Sequence, residues 1–107
     1  MKAPPSLTTL RDSLRRFADE RDWNRYHSPK NLAISVSIEA AELLEHFQWT
    51  DEVEPQEKEA IGHEMADVLL YLVRLADRLD IDLLEAAARK IELNAKKYPA
   101  TSREIRK

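Results

Sequence analysis

Residues 32–49 read L-A-I-S-V-S-I-E-A-A-E-L-L-E-H-F-Q-W and carry the strongest structural signal of this chain. At about 100° per residue this stretch predicts a helix with two apolar faces, and Glu39 and Glu42 lie in the polar strip between them. The broader face carries Leu32, Val36, Ala40, Leu43, Leu44 and Phe47, and the second carries Ile34, Ile38, Ala41 and Trp49. Because such a helix must bury both faces, the stretch indicates a helical bundle.

A second acidic pair stands in the sequence E-M-A-D at residues 64–67, on the next predicted helix. Carboxylates three residues apart on a helix project to the same side, and Tyr71 and Arg74 fall in the same polar gap. Two facing helices would gather four carboxylates at one spot, where a hard divalent cation is the natural compensation for their charge. These four residues are Glu39, Glu42, Glu64 and Asp67.

The available ligand atoms limit which metal ions the site can bind. The chain has no cysteine, so thiolate sites are excluded, and oxygen ligands alone favour Mg²⁺, with Mn²⁺ as a substitute. A ferritin-like di-iron site needs Glu-x-x-His, whereas the residues three positions after Glu39 and Glu64 are Glu42 and Asp67. The residues therefore predict a metal-dependent hydrolase of a phosphate-bearing substrate, in which Glu39 and Glu42 are also candidate catalytic residues.

Length and composition predict one all-α domain over residues 1–107, with its core at about 7–99 and a polar tail at 100–107. Gly62 is the single glycine, and Ala, Leu, Glu, Lys and Arg dominate. The net charge of −3 argues against a nucleic-acid polymer as partner. No apolar run approaches the ~20 residues of a membrane span, so we expect no membrane partner and a cytoplasmic location.

Capping signals divide the chain into four predicted helices, at about 7–22, 29–49, 55–79 and 82–98. Ser6 is the expected N-cap of the first helix, and Ser28 followed by Pro29 marks the start of the second. Pro55 suits the start of the third, and either Asp80 or Asp82 can cap the fourth. A four-helix monomer needs about one apolar stripe per helix. The two apolar faces of helices two and three therefore predict a homo-oligomer that assembles through them.

A triphosphate substrate also needs cations and hydrogen-bond donors. Lys30 and Asn31 begin the second helix, and Asn94, Lys97 and Tyr98 end the fourth. Lysines late in a helix also complement its dipole, so their spacing leaves both interpretations open.

Aromatic residues flank the second helix closely and are candidates to enclose a base. They are Trp23, Tyr26, His27 and Trp49. Trp49 ends an apolar stretch and suits a core position equally well. His27, like His46 and His63, is interpreted as a packing or surface residue because none has a convincing partner for nucleophilic catalysis.

Five blocks together carry a resemblance to a known family. They are E-R-D-W (20–23), H-S-P-K-N-L (27–32), E-A-A-E-L-L-E-H-F-Q-W (39–49), E-M-A-D-V-L-L-Y (64–71) and N-A-K-K-Y-P (94–99). Over residues 7–99 the chain resembles the MazG-like all-α nucleoside triphosphate pyrophosphatases, and in particular the small dCTP pyrophosphatases. Their signature is ExxE followed, after a variable gap, by ExxD.

The resemblance implies Mg²⁺-dependent house-cleaning of the nucleotide pool. A nucleoside triphosphate, dCTP or a modified dCTP, would be hydrolysed between its α and β phosphates to the monophosphate and pyrophosphate by a homodimer or homotetramer. The metal would be held by Glu39, Glu42, Glu64 and Asp67, and either Glu39 or Glu42 would take a proton from water. Phosphates or sugar would contact Lys30, Asn94, Lys97 and Tyr98, and the base pocket would include Trp23, Trp49 and Tyr71.

Three alternatives stay open. Some dCTP-preferring relatives carry a histidine in the first helix where this chain has Leu14, so a different base is possible. Phosphoribosyl-ATP pyrophosphohydrolase shares the fold, but the aromatic blocks around Trp23 and Trp49 argue against it. A non-catalytic helical dimerisation module, finally, predicts that the four acids are dispersed and exposed.

Overall fold

The computed structural model describes residues 5–100 and places them in four α-helices without a β-strand. The helices are α1 (Leu7–Glu20), α2 (Pro29–Glu45), α3 (Lys58–Arg78) and α4 (Leu83–Lys97), with 3₁₀ turns at Asn24–Tyr26 and Pro55–Glu57. The predicted all-α fold with four helices is therefore confirmed. The predicted polar tail, apart from Ala100, lies outside the described residues.

Side-chain caps start three of the helices where the sequence signals predicted them. Ser6, Ser28 and Asp82 each accept a hydrogen bond from the backbone N–H three residues further on, at 3.1, 3.2 and 3.1 Å. Pro29 follows Ser28 at the first helical position, where no N–H is needed. Of the two residues that could cap α4, Asp82 does so, while Asp80 ends α3 instead.

Aspartates in the left-handed region end α1 and α3. Asp22 has φ of 55° and Asp80 has φ of 58°, a conformation that glycine usually supplies at a helix C-terminus. In both cases the next residue's N–H reaches back five positions, from Trp23 to the Ala18 carbonyl at 2.9 Å and from Ile81 to the Ala76 carbonyl at 2.8 Å. This motif stops α1 at Glu20, two residues before the predicted end.

The second helix is shorter than predicted, since it ends at Glu45 and residues 46–49 form turns. The N–H groups of His46 and Phe47 bond to carbonyls only three residues back, at Leu43 and Leu44, which tightens the last turn. The apolar spacing continues through Phe47 and Trp49, so the pattern alone suggested a helix that the backbone does not form.

Helices α2 and α3 make the main interface, α1 packs on α3, and α4 makes only sparse contacts with the rest. Few side chains among residues 5–100 are buried, and the apolar ones are Ala18, Leu32, Val73 and Ala76. The radius of gyration is 17.0 Å, against about 13 Å for a compact domain of 100 residues. The accessible surface is 8779 Å², where a compact monomer of this mass exposes roughly 6,100 Å². Large apolar side chains thus stay exposed on α2, α3 and α4.

An ion pair ties α1 to α3. The Arg15 guanidinium binds the Asp77 carboxylate with two hydrogen bonds, from Nε at 2.8 Å and from Nη2 at 2.6 Å. Asp77 is largely buried, and Arg74 Nη1 lies 3.6 Å from its Oδ2, the oxygen that also accepts from Arg15 Nε. The hydrogen bond and charge of Arg15 hold the pKa of Asp77 below its ordinary value of 3.8, although burial opposes them.

We expect Arg15→Met to lower the melting temperature by a few degrees near neutral pH. Because the pKa of Asp77 is lowered in the folded state, its contribution to stability is present above pH 3.8 and is lost as the pH falls through the lowered value. The gap between wild type and variant should therefore shrink in thermal unfolding scans below pH 3.8. The neighbouring Arg16→Met is the matched control, and an equal loss there would refute a specific role for the pair.

Candidate active site

The acidic pairs of α2 and α3 face each other across the main helix interface. Glu39 of α2 meets Glu64 and Asp67 of α3, and one carboxylate oxygen from each lies within 4.8 Å of the others. Glu39 and Glu64 are half-buried, and Asp67 is exposed. Glu42 lies one turn after Glu39 and is half-buried, but it is outside this group of three. The helical spacing provides the pairs, and the packing of α2 on α3 joins them.

Two oxygens of this cluster lack any hydrogen-bond partner within residues 5–100. They are Glu39 Oε1 and Glu64 Oε1, and both are buried. A buried acceptor without a partner costs about 1–3 kcal/mol, so the fold without a ligand carries an unfavourable charge arrangement here. His46 Nε2 lies 3.9 Å from Glu64 Oε2, too far for a hydrogen bond.

Burial and like charge act together on Glu39. Burial raises the pKa of its carboxyl group, and the neighbouring carboxylates of Glu42, Asp67 and Glu64 raise it further. The site therefore combines hard oxygen donors, unpartnered lone pairs and mutual repulsion. That combination suits a hard divalent cation such as Mg²⁺ or Mn²⁺, so these residues fit the predicted metal.

A cavity of about 320 Å³ opens beside the acids. Its wall is mainly apolar and joins α1, α3 and the connection before α2, and Asp67 belongs to both the cavity and the acidic group. Phe17 and Trp23 meet edge to face there, with ring centroids 5.4 Å apart. The lining residues are Leu14, Phe17, Ala18, Trp23, His27, Asp67, Leu70, Tyr71 and Arg74.

The other predicted binding residues divide between this cavity and the surface. Trp23 and Tyr71 line the cavity together, as a base pocket requires. Trp49 does not join them, because it follows the end of α2 and is 87% exposed. The predicted phosphate and sugar ligands are all exposed, and none of them lines this cavity. They are Lys30 in α2 and Asn94, Lys97 and Tyr98 at the end of α4.

A polar network that includes Arg74 and His27 forms part of the cavity wall, and the sequence did not predict it. Arg74 is only 5% exposed. Its Nε donates to His27 Nδ1 at 3.2 Å, and its Nη2 donates to the side-chain carbonyl of Asn24. The Asn24 amide in turn donates to Asp19. The available signal was the position of Arg74 in the polar gap of α3, one turn after Tyr71.

A second cavity, of about 260 Å³, lies between the start of α1, the end of α3 and the start of α4. None of the four predicted metal ligands lines it. Its charged residues include Arg15 and Asp77, which already neutralise each other. Of these two cavities, the first is therefore the one that adjoins the acids.

Comparison with known proteins assigns the chain to a protein family. The model of the MazG-like family matches residues 34–107, a range that includes both acidic pairs, and the chain belongs to this family. Particular relatives are dCTP pyrophosphatase 1 of Homo sapiens, 41% identical over 103 residues, and that of Mus musculus, 40% identical over 102 residues. The alignments cover 90% and 89% of this chain but 61% and 60% of the relatives, so the chain spans about 60% of their length.

A solved structure agrees along nearly the whole chain. It is a pyrophosphatase from Archaeoglobus fulgidus, with 45% sequence identity and a TM-score of 0.82 over 94% of this chain and 98% of that one. The predicted resemblance is therefore confirmed in sequence and in fold. No helix within the described residues is long and apolar enough to cross a membrane.

Proposed function

We propose that this protein hydrolyses a nucleoside triphosphate between the α and β phosphates, giving the monophosphate and pyrophosphate. The observation that carries the proposal is the meeting of Glu39, Glu64 and Asp67 within 4.8 Å, next to an aromatic-lined cavity whose wall includes Asp67. In a MazG-like chain related to dCTP pyrophosphatases and a pyrophosphatase, this arrangement fits a metal-bound phosphate chain with its base in the cavity. The proposed substrate is dCTP or a modified dCTP.

The acids have distinct roles in this proposal. Glu39, Glu64 and Asp67, with Glu42 beside them, would hold Mg²⁺. When bound, the ion supplies charge neutralisation for the phosphates and lowers the pKa of water. Glu42 lies outside the close group of three, yet its charge helps to raise the pKa of Glu39. Because Glu42 neighbours Glu39 but lies outside the group of three, we assign it as the base that takes the proton from water.

We expect Glu42→Gln to lower the hydrolysis rate by a factor on the order of 10²–10⁴, the range that general-base catalysis contributes. Binding of Mg²⁺, measured by titration calorimetry, should persist because three carboxylates remain. The matched control is Glu45→Gln on the same helix, which should retain both properties. If Glu42→Gln kept full activity, or lost Mg²⁺ binding altogether, the assignment as base would be wrong.

The cavity would take the base between Trp23 and Tyr71, whose rings offer stacking surfaces. Leu14 lines the same cavity at the position where some dCTP-preferring relatives carry a histidine. This position favours a second candidate, the same reaction on a different base. Lys30, Asn94, Lys97, Tyr98 and Trp49 stay proposed ligands of phosphate, sugar or base.

The exposed apolar faces support assembly into a homodimer or homotetramer through α2 and α3. Ile34 and Ile38 on α2 and Leu69 and Leu72 on α3 are each more than a third exposed. An assembly would cover this surface. A cytoplasmic location stays part of the proposal.

We expect light scattering to give at least twice the 12.4 kDa mass of one chain. Ile38→Glu should lower the assembled fraction, because it buries a charge in an apolar interface. Glu52→Gln, in the polar connection before α3, is the control. A monomer at micromolar concentration in wild type would contradict the proposed assembly.

The test of the proposed function is a panel of the common dNTPs and NTPs plus methylated and oxidised dCTP, each with Mg²⁺ and the purified chain. Chromatography separates the products, and kcat/KM ranks the substrates. Monophosphate and pyrophosphate from cytosine nucleotides support the full proposal, and the same products from another base support the second candidate. Complete inactivity of the folded protein across the panel favours the non-catalytic dimerisation module.

A further inference from the structure

The cavity wall contains a buried cation whose geometry is fixed on three sides. Arg74 donates through Nε to His27 and through Nη2 to Asn24, and its Nη1 faces Asp77 at 3.6 Å. Buried charges persist in folded proteins when they are paired and hydrogen-bonded in this way. These contacts orient the guanidinium in the wall, and its Nε and Nη2 each donate a hydrogen bond within the chain.

This contact determines where the histidine carries its proton. Arginine offers only donors and stays charged, so the His27 Nδ1 that faces it at 3.2 Å must accept. A neutral imidazole that accepts at Nδ1 carries its hydrogen on Nε2. Burial lowers the pKa of His27, and the positive charges of Arg74 and Arg78 lower it further, so the imidazolium form is also disfavoured.

The His27 ring lies in the cavity wall beside the surfaces proposed to hold the base. It meets Trp23 edge to face, with ring centroids 5.9 Å apart, and it shares the cavity with Tyr71. Within residues 5–100, its Nε2 makes no hydrogen bond, whereas Nδ1 is engaged by Arg74. The ring therefore has one free donor of defined identity in a wall that is otherwise mainly apolar.

We propose that His27, oriented by Arg74, donates a hydrogen bond from Nε2 to an acceptor on the nucleotide base, a ring nitrogen or carbonyl oxygen of a pyrimidine. His27 is thus a specificity-determining residue and Arg74 a positioning residue that acts through it. This inference rests on the proposed function, since it assigns the base to this cavity. It also supplies a base contact where Leu14 cannot hydrogen-bond.

The first test reads the tautomer in the free protein and needs neither nucleotide nor Mg²⁺. Long-range hydrogen–nitrogen correlation NMR should show the Nε2–H tautomer of His27 in wild type at neutral pH. Arg74→Leu should lose that preference, and Arg74→Lys, which keeps a charged donor, should restore part of it. A wild-type ring with its hydrogen on Nδ1, or a protonated ring, would overturn the proposal.

The second test combines residue and substrate changes. The substrates are dCTP, 3-deaza-dCTP, which lacks the ring acceptor, and 2-thio-dCTP, which weakens the carbonyl acceptor. Wild type should prefer dCTP over at least one analogue by about tenfold in kcat/KM, the worth of one hydrogen bond. In His27→Phe the ratio of kcat/KM for dCTP to kcat/KM for that analogue should fall towards one. In His27→Gln, whose amide can donate, part of the preference should return.

The outcomes distinguish a failure of the proposed role of His27 from a failure of the proposed function. If His27→Phe hydrolyses dCTP and keeps the wild-type preference, the role of His27 is refuted while the proposed function stands. If folded wild type hydrolyses none of these nucleotides, the proposed function fails and the inference fails with it. Circular dichroism of each variant confirms that its helices are intact.

Discussion

Glu39→Gln and Glu64→Gln are each expected to lower kcat for the best substrate by about 10²–10³-fold, the loss typical when one charged group that stabilises a transition state is removed. Both residues contribute a buried oxygen without a hydrogen-bond partner in the described chain, and both belong to the group of three that lies within 4.8 Å. A glutamine amide keeps the shape of the side chain but supplies a weaker, uncharged ligand. The measurement is steady-state hydrolysis at saturating nucleotide and at a Mg²⁺ concentration that saturates wild type.

The matched controls are exposed glutamates on the same two helices. Glu45→Gln on α2 and Glu59→Gln on α3 remove the same charge outside the cluster, so their rates should stay near wild type. Raising the Mg²⁺ concentration should restore part of the activity of Glu39→Gln if weaker metal binding is the cause. Full activity in either cluster variant would contradict the assignment of these acids to the site.

The second prediction concerns the free energy of unfolding of Glu39→Gln. It should exceed that of wild type without Mg²⁺ and fall below it with Mg²⁺. Without Mg²⁺, Glu39→Gln should raise the free energy of unfolding by roughly 1 kcal/mol, because it removes a partly buried charge from a cluster of like charges. With Mg²⁺ at 100 times its dissociation constant, wild type should gain about 2.7 kcal/mol by linkage. The variant should gain much less. Thermal and urea unfolding, with Mg²⁺ or with a chelator, measure the stability of wild type and of the variant.

The pH dependence gives an independent check of this argument. The pKa of Glu39 is raised in the folded state above its ordinary value of 4.5. Its contribution to stability is therefore fully present below pH 4.5 and is lost as the pH rises through the raised value. In chelator, the stability advantage of Glu39→Gln should open above pH 4.5. An advantage that is equal at every pH would show that charge is not its cause.

Local signals in the sequence predicted the helices well, because each acts within a few residues. Ser6 and Ser28 cap helices by bonding to an N–H three positions away, and the same periodicity places the acids of each pair on one side. The ends of the helices were less predictable. The left-handed Asp22 and the turns at residues 46–49 depend on backbone bonds that apolar spacing does not encode.

The candidate site was predictable where one helix sets the geometry and unpredictable where distant segments meet. The two acidic pairs follow from spacing, and their approach needs only that α2 packs on α3. The bond from Arg74 to His27 joins residues 47 positions apart, so no local pattern could reveal it. For the same reason His27 was interpreted as a packing residue. The sparse contacts of α4 leave Asn94, Lys97 and Tyr98 as predictions.

Phosphorus NMR of dCTP with the folded chain and Mg²⁺ is the sharpest test of the proposed hydrolysis, because it identifies the bond that breaks. We expect the three triphosphate signals to give way to those of the monophosphate and pyrophosphate. With Glu39→Gln the triphosphate signals should largely remain, and with Glu45→Gln they should disappear as with wild type. Formation of diphosphate and orthophosphate, or equal activity in Glu39→Gln and wild type, would contradict this proposal.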